Sequence, residues 1–441
     1  MRARHRGIMV AAAAIVATAG LALLPATAGA TGARTHNLWV SSGATSPADN
    51  SCSNHGYNSV QAAINAASPG ATVHICAGTY TEQLVVTQSV TLTGLGNPTI
   101  QLPASPANST TPCDEASNTA VPGSPEQDGI VVCTAGALLK IQDLTVDPAW
   151  PANTCNDNLF GILVGGGASL KMTNTTVEAG GAVPINGCQG GVAIEVGMAW
   201  TSPVEVGHAT LTHVTVSGYQ KNGMTIDGAG STAKITSSTV SGAGPTTQTA
   251  QNGIQVSNGA SANITRSTIS GNECDASSCG SNSMTDAQGG GVLLYLAVPG
   301  TKVTHSSIND NDYGIYSYAS NATEPSSPTA DFQSDTLIND RYESALLDAS
   351  YTALTHDTIS GGNVGIQVIQ YDGQPYGVLG SASHDTVENE SVAAIQVLSD
   401  NAPSGDMPGT LTVSRSNITS GDATSVSNNS SNYTVTQSHD S

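Results

Sequence analysis

The sequence predicts an all-β chain wound as a right-handed parallel β-helix, a solenoid of about ten rungs. Three observations carry that prediction. First, a short segment recurs with a small residue followed by apolar residues at alternate positions. Its copies include QDGIVV, LFGILV, QGGVAIEV, KNGMTID, QNGIQV, GGGVLLYL, DYGIYSY, NVGIQVI and AAIQVL. Second, each copy is followed by another strand-like segment with its own apolar anchor. The anchors are Val146, Val177, Val216, Val240, Ile269, Ile308, Leu337, Ile359, Val387 and Ile418. Third, no helical period separates the two segments, which excludes a βαβ arrangement. Val, Ile and Thr suit strands, and the chain has only 2 Phe and 3 Trp, which suits a narrow core.

One such unit cannot bury its apolar side alone. Stacked units bury a continuous column, so the repeat overrides the several domains that 441 residues would otherwise suggest. At ~4.8 Å per rung, ten rungs make a column ~48 Å long.

In chain order, residues 1–30 read as a secretory signal peptide. Arg2, Arg4 and Arg6 precede an apolar run that ends in small residues at Ala28 and Ala30. Removing it leaves nine basic residues against 33 acidic ones, a net charge of −24. Such a surface repels nucleic acid and anionic lipid. No later run is long enough to cross a bilayer. The expectation is a secreted, soluble protein, a monomer, with no nucleic-acid partner and no membrane insertion.

Residues 31–56 are an N-terminal segment and 57–420 the β-helix domain. Val60 and Ile64, four apart, predict a short helix that plugs the open end of the core; Pro69-Gly70 stops it. Residues 97–126 and 272–288 read as loop insertions, and 421–441 as a Ser/Asn-rich tail. The eight cysteines after a signal peptide imply disulfides. Because contacts in a solenoid are local, neighbour pairing is expected: Cys52–Cys76, Cys113–Cys133, Cys155–Cys188 and Cys274–Cys279.

The opening YNSVQAAINAASPGATVHICAGTYTEQLVVTQSVTLTGLG, followed by G-I-x-V and T-V-S-G rungs, resembles the secreted pectin-lyase-like superfamily of right-handed parallel β-helix proteins. The resemblance covers residues 55–420. It implies a substrate lying along the outward sheet face, and the superfamily includes lyases, hydrolases, esterases, epimerases and adhesins. The sequence lacks the galacturonase set Asn-Thr-Asp, Asp-Asp and Gly-His-Gly. It also lacks the pectin methylesterase signatures and any Arg-x-Pro-x-x-Arg lyase string. No GxSxG, HExxH or phosphate-binding loop is present.

Alternation assigns outward positions to every second residue. Two residues past the small residue they read Val131, Leu163, Ala193, Thr225, Gln255, Leu293, Tyr316, Leu347, Gln367 and Gln396, taking Gly191 and Ala345 as the small residues of their rungs. Two further on come Glu195, Asp227, Ser257, Tyr295 and Tyr318. Glu195 and Asp227 are thereby expected in one column, about one ~4.8 Å rung apart. Two carboxylates that close fit a glycosidase acid and nucleophile, a Ca²⁺ site built from both, or a polar, solvated sheet face. Lys221 is a third catalytic candidate, a base if desolvated. In that role the resemblance implies abstraction of a proton from a uronate while Ca²⁺ neutralises its carboxylate. Tyr295, Tyr316 and Tyr318, with Gln255, are the expected sugar-binding residues. His213, His305, His356 and His384 share one register, three residues before their anchors, and mark an exposed corner. The function expected is binding or processing of extracellular polysaccharide, with no required cofactor and Ca²⁺ as a candidate. The alternative is a non-enzymatic structural or cell-surface β-helix, Ca²⁺-stabilised in one version.

Overall fold

A computed structural model describes residues 36–108, 113, 126–150, 158–275, 289–318, 328–348, 350–370, 379–399, 409–419, 424–428 and 433–438. Among these, all regular structure is strand except one helix, Val60–Ala66. The G-I-x-V strands form one sheet of twelve, from Leu84–Val86 to Thr424–Asn428. The solenoid therefore has about two more rungs than the repeat alone shows. The remaining strands of each rung form the second wall. Residues expected as a tail add strands Thr424–Asn428 and Tyr433–Ser438. Thr99–Gln101 is likewise a strand, so the first insertion starts after it.

Strands pair in parallel and in register. The ten anchors from Val146 to Ile418 stand opposite one another in a single column, with Ile100 added below Val146. All are at most 7% exposed. The recurrent glycine has a packing cause. A Cβ on Gly223 would stand 2.7 Å from the carbonyl oxygen of Gly253, and one on Gly253 2.7 Å from that of Gly291.

The second wall turns a corner three residues before each anchor. There Asp143, Asn174, His213, Ser237, Arg266, His305, Ser334, His356, His384 and Arg415 all have φ between +49° and +62°. Asn, Asp and His tolerate that left-handed region better than most residues. The histidine column is thus a backbone requirement, and the rings of His356 and His384 stack at 4.6 Å on the exposed side.

The bend takes the next amide out of the strand ladder. A side-chain oxygen one rung further on accepts its N–H, because a buried amide must find a partner. Ser238 N donates to Ser267 Oγ (3.2 Å), Ser267 N to Ser306 Oγ (3.2 Å), and Ser306 N to Asp335 Oδ1 (2.6 Å). Asp335 N then donates to Asp357 Oδ1 (2.7 Å), Asp357 N to Asp385 Oδ1 (2.8 Å), and Asp385 N to Ser416 Oγ (3.2 Å).

The helix caps the column as expected, burying Val60, Ala63 and Ile64. Ser59 Oγ accepts from Ala62 N, and the Glu82 carboxylate accepts from Val60 N (2.8 Å) and Gln61 N (2.9 Å). Disulfides Cys52–Cys76 and Cys113–Cys133 are present. Cys188 and Cys274 are also disulfide-bonded; Cys155 and Cys279 lie outside the described residues. Both bases of the second insertion are held by Asp312, whose Oδ2 accepts from Cys274 N (2.9 Å) and Gly289 N (2.8 Å). Arg341 crosses the same place, with Nη2 3.0 Å from Asp312 Oδ1 and Nη1 2.5 Å from Asp275 Oδ1. No helix among the described residues is long and apolar enough to cross a membrane.

The aspartate ladder makes stability depend on pH. Burial pushes Asp335 up to about 7, Asp357 to about 6 and Asp385 to about 7. Across the window between about 4 and 7 the folded chain binds more protons than the unfolded one, so stability falls as pH rises. We expect the melting temperature to drop between pH 5 and pH 7.5. The variant Asp335→Asn/Asp357→Asn/Asp385→Asn should show a flatter profile in calorimetric scans.

Candidate functional site

Strand register decides which side chains share the outward face of the twelve-stranded sheet. Val192 pairs with Phe160 and Asn222, and Ile194 with Ile162 and Met224. The residue equivalent to Gly161 and Gly223 is therefore Ala193. Gly191 sits in the preceding turn with φ +101°, its carbonyl accepting the Lys221 and Asn222 amides. Glu195 consequently stands level with Leu163 and Thr225, while Asp227 stands level with Ser257. The expected Glu195–Asp227 column does not exist. Similarly, Ile315 pairs with Ala345 and Tyr316 with Leu346. Ser344, not Ala345, is that rung's small residue, so Leu347 points inward and Asp348 continues the Tyr295–Tyr318 column.

Asp227 is a structural carboxylate rather than a solvated one. It is fully buried. Its Oδ2 accepts from Ala199 N (2.6 Å), and its Oδ1 from Ser257 Oγ (2.6 Å) and Asn258 Nδ2 (2.8 Å). Both oxygens are engaged in holding two turns to the strand. Glu195 is 3% exposed. The pair thus supplies neither the shared acid site nor the shared Ca²⁺ site. Among the described residues, no group of three or more His, Cys, Asp or Glu is arranged to hold a metal ion.

Lys221 is partly buried at the edge of the face, with Nζ donating to the Ala250 carbonyl at 2.6 Å. Burial lowers its ammonium to about 8. The desolvation that would make it a base is present, and among the described residues no ion pair holds its ammonium.

The face changes character along the solenoid. In its early rungs Val131, Phe160, Leu163 and Val192 are covered by Cys113, Cys133 and Met198 in a small apolar cluster. From Asn222 onward it becomes polar. Asn252 Nδ2 donates to Asn222 Oδ1 (3.0 Å), and Asn222 Nδ2 donates to Gln255 Oε1 (3.0 Å). Gln255 Nε2 donates to Ser257 Oγ (3.1 Å). Next come the tyrosines. The rings of Tyr295 and Tyr318 stack on successive rungs, 5.4 Å between centroids, and Tyr295 is 41% exposed. Tyr316 is half-buried beside them against Tyr313, Tyr342, Leu346 and Ile369. The structure therefore brings together Gln255, Tyr295, Tyr316 and Tyr318, the four expected sugar-binding residues.

Sequence reasoning passed over the carboxylates of the next rung. Asp348 is 2% exposed; burial raises it to about 7, partly offset by the Tyr316 hydroxyl, 3.3 Å away. Glu343 is raised to about 8 by burial and then by Asp312. Acids inside strand segments were the available signal. A separate cleft lies at the N-terminal cap, lined by Ser42, Asn58, Ser59, Tyr80 and Glu82. Its acid is already spent on the helix amides.

A family model described as "Right handed beta helix region" matches residues 204–378. Among solved structures, the Agl-KA catalytic domain superposes with a TM-score of 0.54 at 14% identity, covering 86% of this chain and 64% of that one. The A-module of mannuronan C-5 epimerase AlgE6 from Azotobacter vinelandii gives 0.49 at 13% identity, covering 86% and 93%. The GH136 lacto-N-biosidase from Eubacterium ramulus gives 0.47 at 11%, covering 91% and 68%. No curated protein matches the sequence. The chain has the right-handed parallel β-helix fold.

Two predictions follow the burial of the charged groups. Asp227→Asn places an amide NH₂ against the Asn258 amide and removes charge-assisted hydrogen bonds. It should cost about 2–4 kcal/mol, read by chemical denaturation. For Lys221 the folded value lies below the unfolded one, so its contribution to stability rises as pH goes from about 8 to 10.5. Lys221→Met should therefore melt higher than the parent at pH 7, with the gap closing above pH 9.

Proposed function

We propose that this protein binds an extended extracellular polysaccharide along the outward face of its twelve-stranded sheet, between the Asn222 and Tyr318 rungs. The observation that carries this reading is the stacked Tyr295–Tyr318 pair, which follows the column axis on a face that also carries the amides of Asn222, Asn252 and Gln255. Aromatic rings offer apolar area to the flat faces of sugar rings, while their hydroxyls and the neighbouring amides offer hydrogen bonds. Successive rungs ~4.8 Å apart present these groups at a regular spacing, as a repeating ligand requires. The disulfides fit an oxidising compartment, and the apolar N-terminal run supports export.

Binding is favoured over bond cleavage as the primary role. The two carboxylates expected to do chemistry are separated by the strand register, and the hydrogen bonds of Asp227 are structural. Lys221, at the edge of the same face, and Asp348 and Glu343, on the rung after Tyr318, are groups there with shifted ionisation.

A glycan array followed by calorimetric titration of the best-bound oligosaccharide tests the reading. Tyr295→Ala and Tyr318→Ala should each weaken binding about tenfold with the melting temperature little changed. Absence of any glycan signal from the parent protein, or full retention of binding by the double variant, would rule it out.

A further inference from the structure

A second side-chain ladder runs up the other corner of the solenoid, and it breaks at one rung. The Tyr219 hydroxyl donates to Asn272 Oδ1 (2.5 Å), and Asn272 Nδ2 donates to Asn311 Oδ1 (2.8 Å). Asn311 Nδ2 in turn donates to Asp340 Oδ1 (2.9 Å). Each asparagine thus brings an acceptor for the rung before and an NH₂ for the rung after. Asp340 brings only oxygen. The next ladder position is Gly362, which brings no side chain at all. Glu390, one rung beyond, reaches back so that its Oε2 accepts the Gly362 N–H at 2.8 Å. The alternation of donor and acceptor becomes oxygen facing oxygen.

Three oxygens at this break have no hydrogen-bond partner among the described residues. They are Asp340 Oδ2, Ser344 Oγ and Glu390 Oε1, on residues that are at most 1% exposed. They stand beside glycines on successive rungs. A Cβ on Gly362 would stand 3.4 Å from Glu390 Oε2 and 3.5 Å from Ser344 Oγ, and one on Gly365 3.4 Å from Glu390 Oε1. A Cβ on Gly314 would run into Asp340 Oδ2. Among the described residues, no basic side chain pairs with them. Arg341, next to Asp340 in the chain, turns outward to Glu273, Asp275 and Asp312. The charged groups acting on Asp340 are the acids Asp310 and Glu390.

We propose that Asp340, Ser344 and Glu390 form an internal cation site that takes a hard divalent ion of the Ca²⁺ class. The donor set is oxygen only, with two carboxylates, which suits Ca²⁺ and not a metal that prefers nitrogen or sulfur. The ion stands where the ladder's missing NH₂ would have been and supplies the positive charge that these oxygens lack. Carboxylates take a cation only when ionised, so cation and proton compete and affinity rises with pH. This site is separate from the tyrosine face and does not depend on it.

The test is a CaCl₂ titration of the full chain by calorimetry, with melting curves in CaCl₂ and in EDTA, at pH 6 and pH 8. The melting temperature should rise with CaCl₂ at pH 8, rise less at pH 6, and binding should release protons. Asp340→Asn/Glu390→Gln, which keeps an acceptor oxygen at each position, should abolish the response. Ser344→Ala keeps both charges and should weaken affinity several-fold; it also serves if the double variant does not fold. No CaCl₂ response at pH 8 in the parent overturns the proposal. So does a response that survives unchanged in the double variant or, if that variant does not fold, in Ser344→Ala.

Discussion

An inward side chain in this protein is buried only because an equivalent one stands above it and another below. Val240 lies between Val216 and Ile269, and that relation repeats along the column. Everything else must respect the parallel register that this stacking imposes. A residue with special backbone needs recurs at the same height in each rung, as the left-handed corner from Asp143 to Arg415 shows. An amide lost at that corner is lost in every rung, so its replacement acceptor must also recur. The Ser–Ser–Asp–Asp–Asp–Ser ladder is that replacement.

The same constraint explains where charge can sit. A column that repeats a carboxylate places like charges about one rung apart with little water between them. Later rungs accept this at Asp335, Asp357 and Asp385, whose backbone hydrogen bonds only partly offset burial. Earlier rungs use serine at the same height and avoid the problem. On the outward face the opposite solution is used. Asn222, Asn252 and Gln255 carry both donors and acceptors, so they satisfy one another. An amide-rich outward face and an acid-rich wall can thus coexist in one solenoid.

Much of the architecture was legible in the sequence. The ten anchors, the capping helix at Val60 and Ile64, the disulfides Cys52–Cys76 and Cys113–Cys133, and the corner marked by His213, His305, His356 and His384 were all readable from period and spacing. The tyrosine half of the face was readable too, because Gly253, Gly291 and Gly314 hold one register without interruption. The Glu195–Asp227 pair was not. Gly191 and Ala193 are two residues apart, and a slip of two keeps every side chain on its own face, so alternation cannot detect it. At Ala345 the run Ala-Leu-Leu fits either parity, and only pairing with Tyr313–Tyr318 decides between them.

By itself, then, the sequence determined the period, the inward set and the corners, because these depend on one rung's own residues. The tertiary structure decided the fate of the polar residues. Whether Asp227 caps turns, Lys221 loses water or Glu390 reaches the Gly362 amide depends on which neighbour the rung above and below supplies. That is a relation between segments twenty to forty residues apart, transmitted by hydrogen bonds that no local pattern encodes.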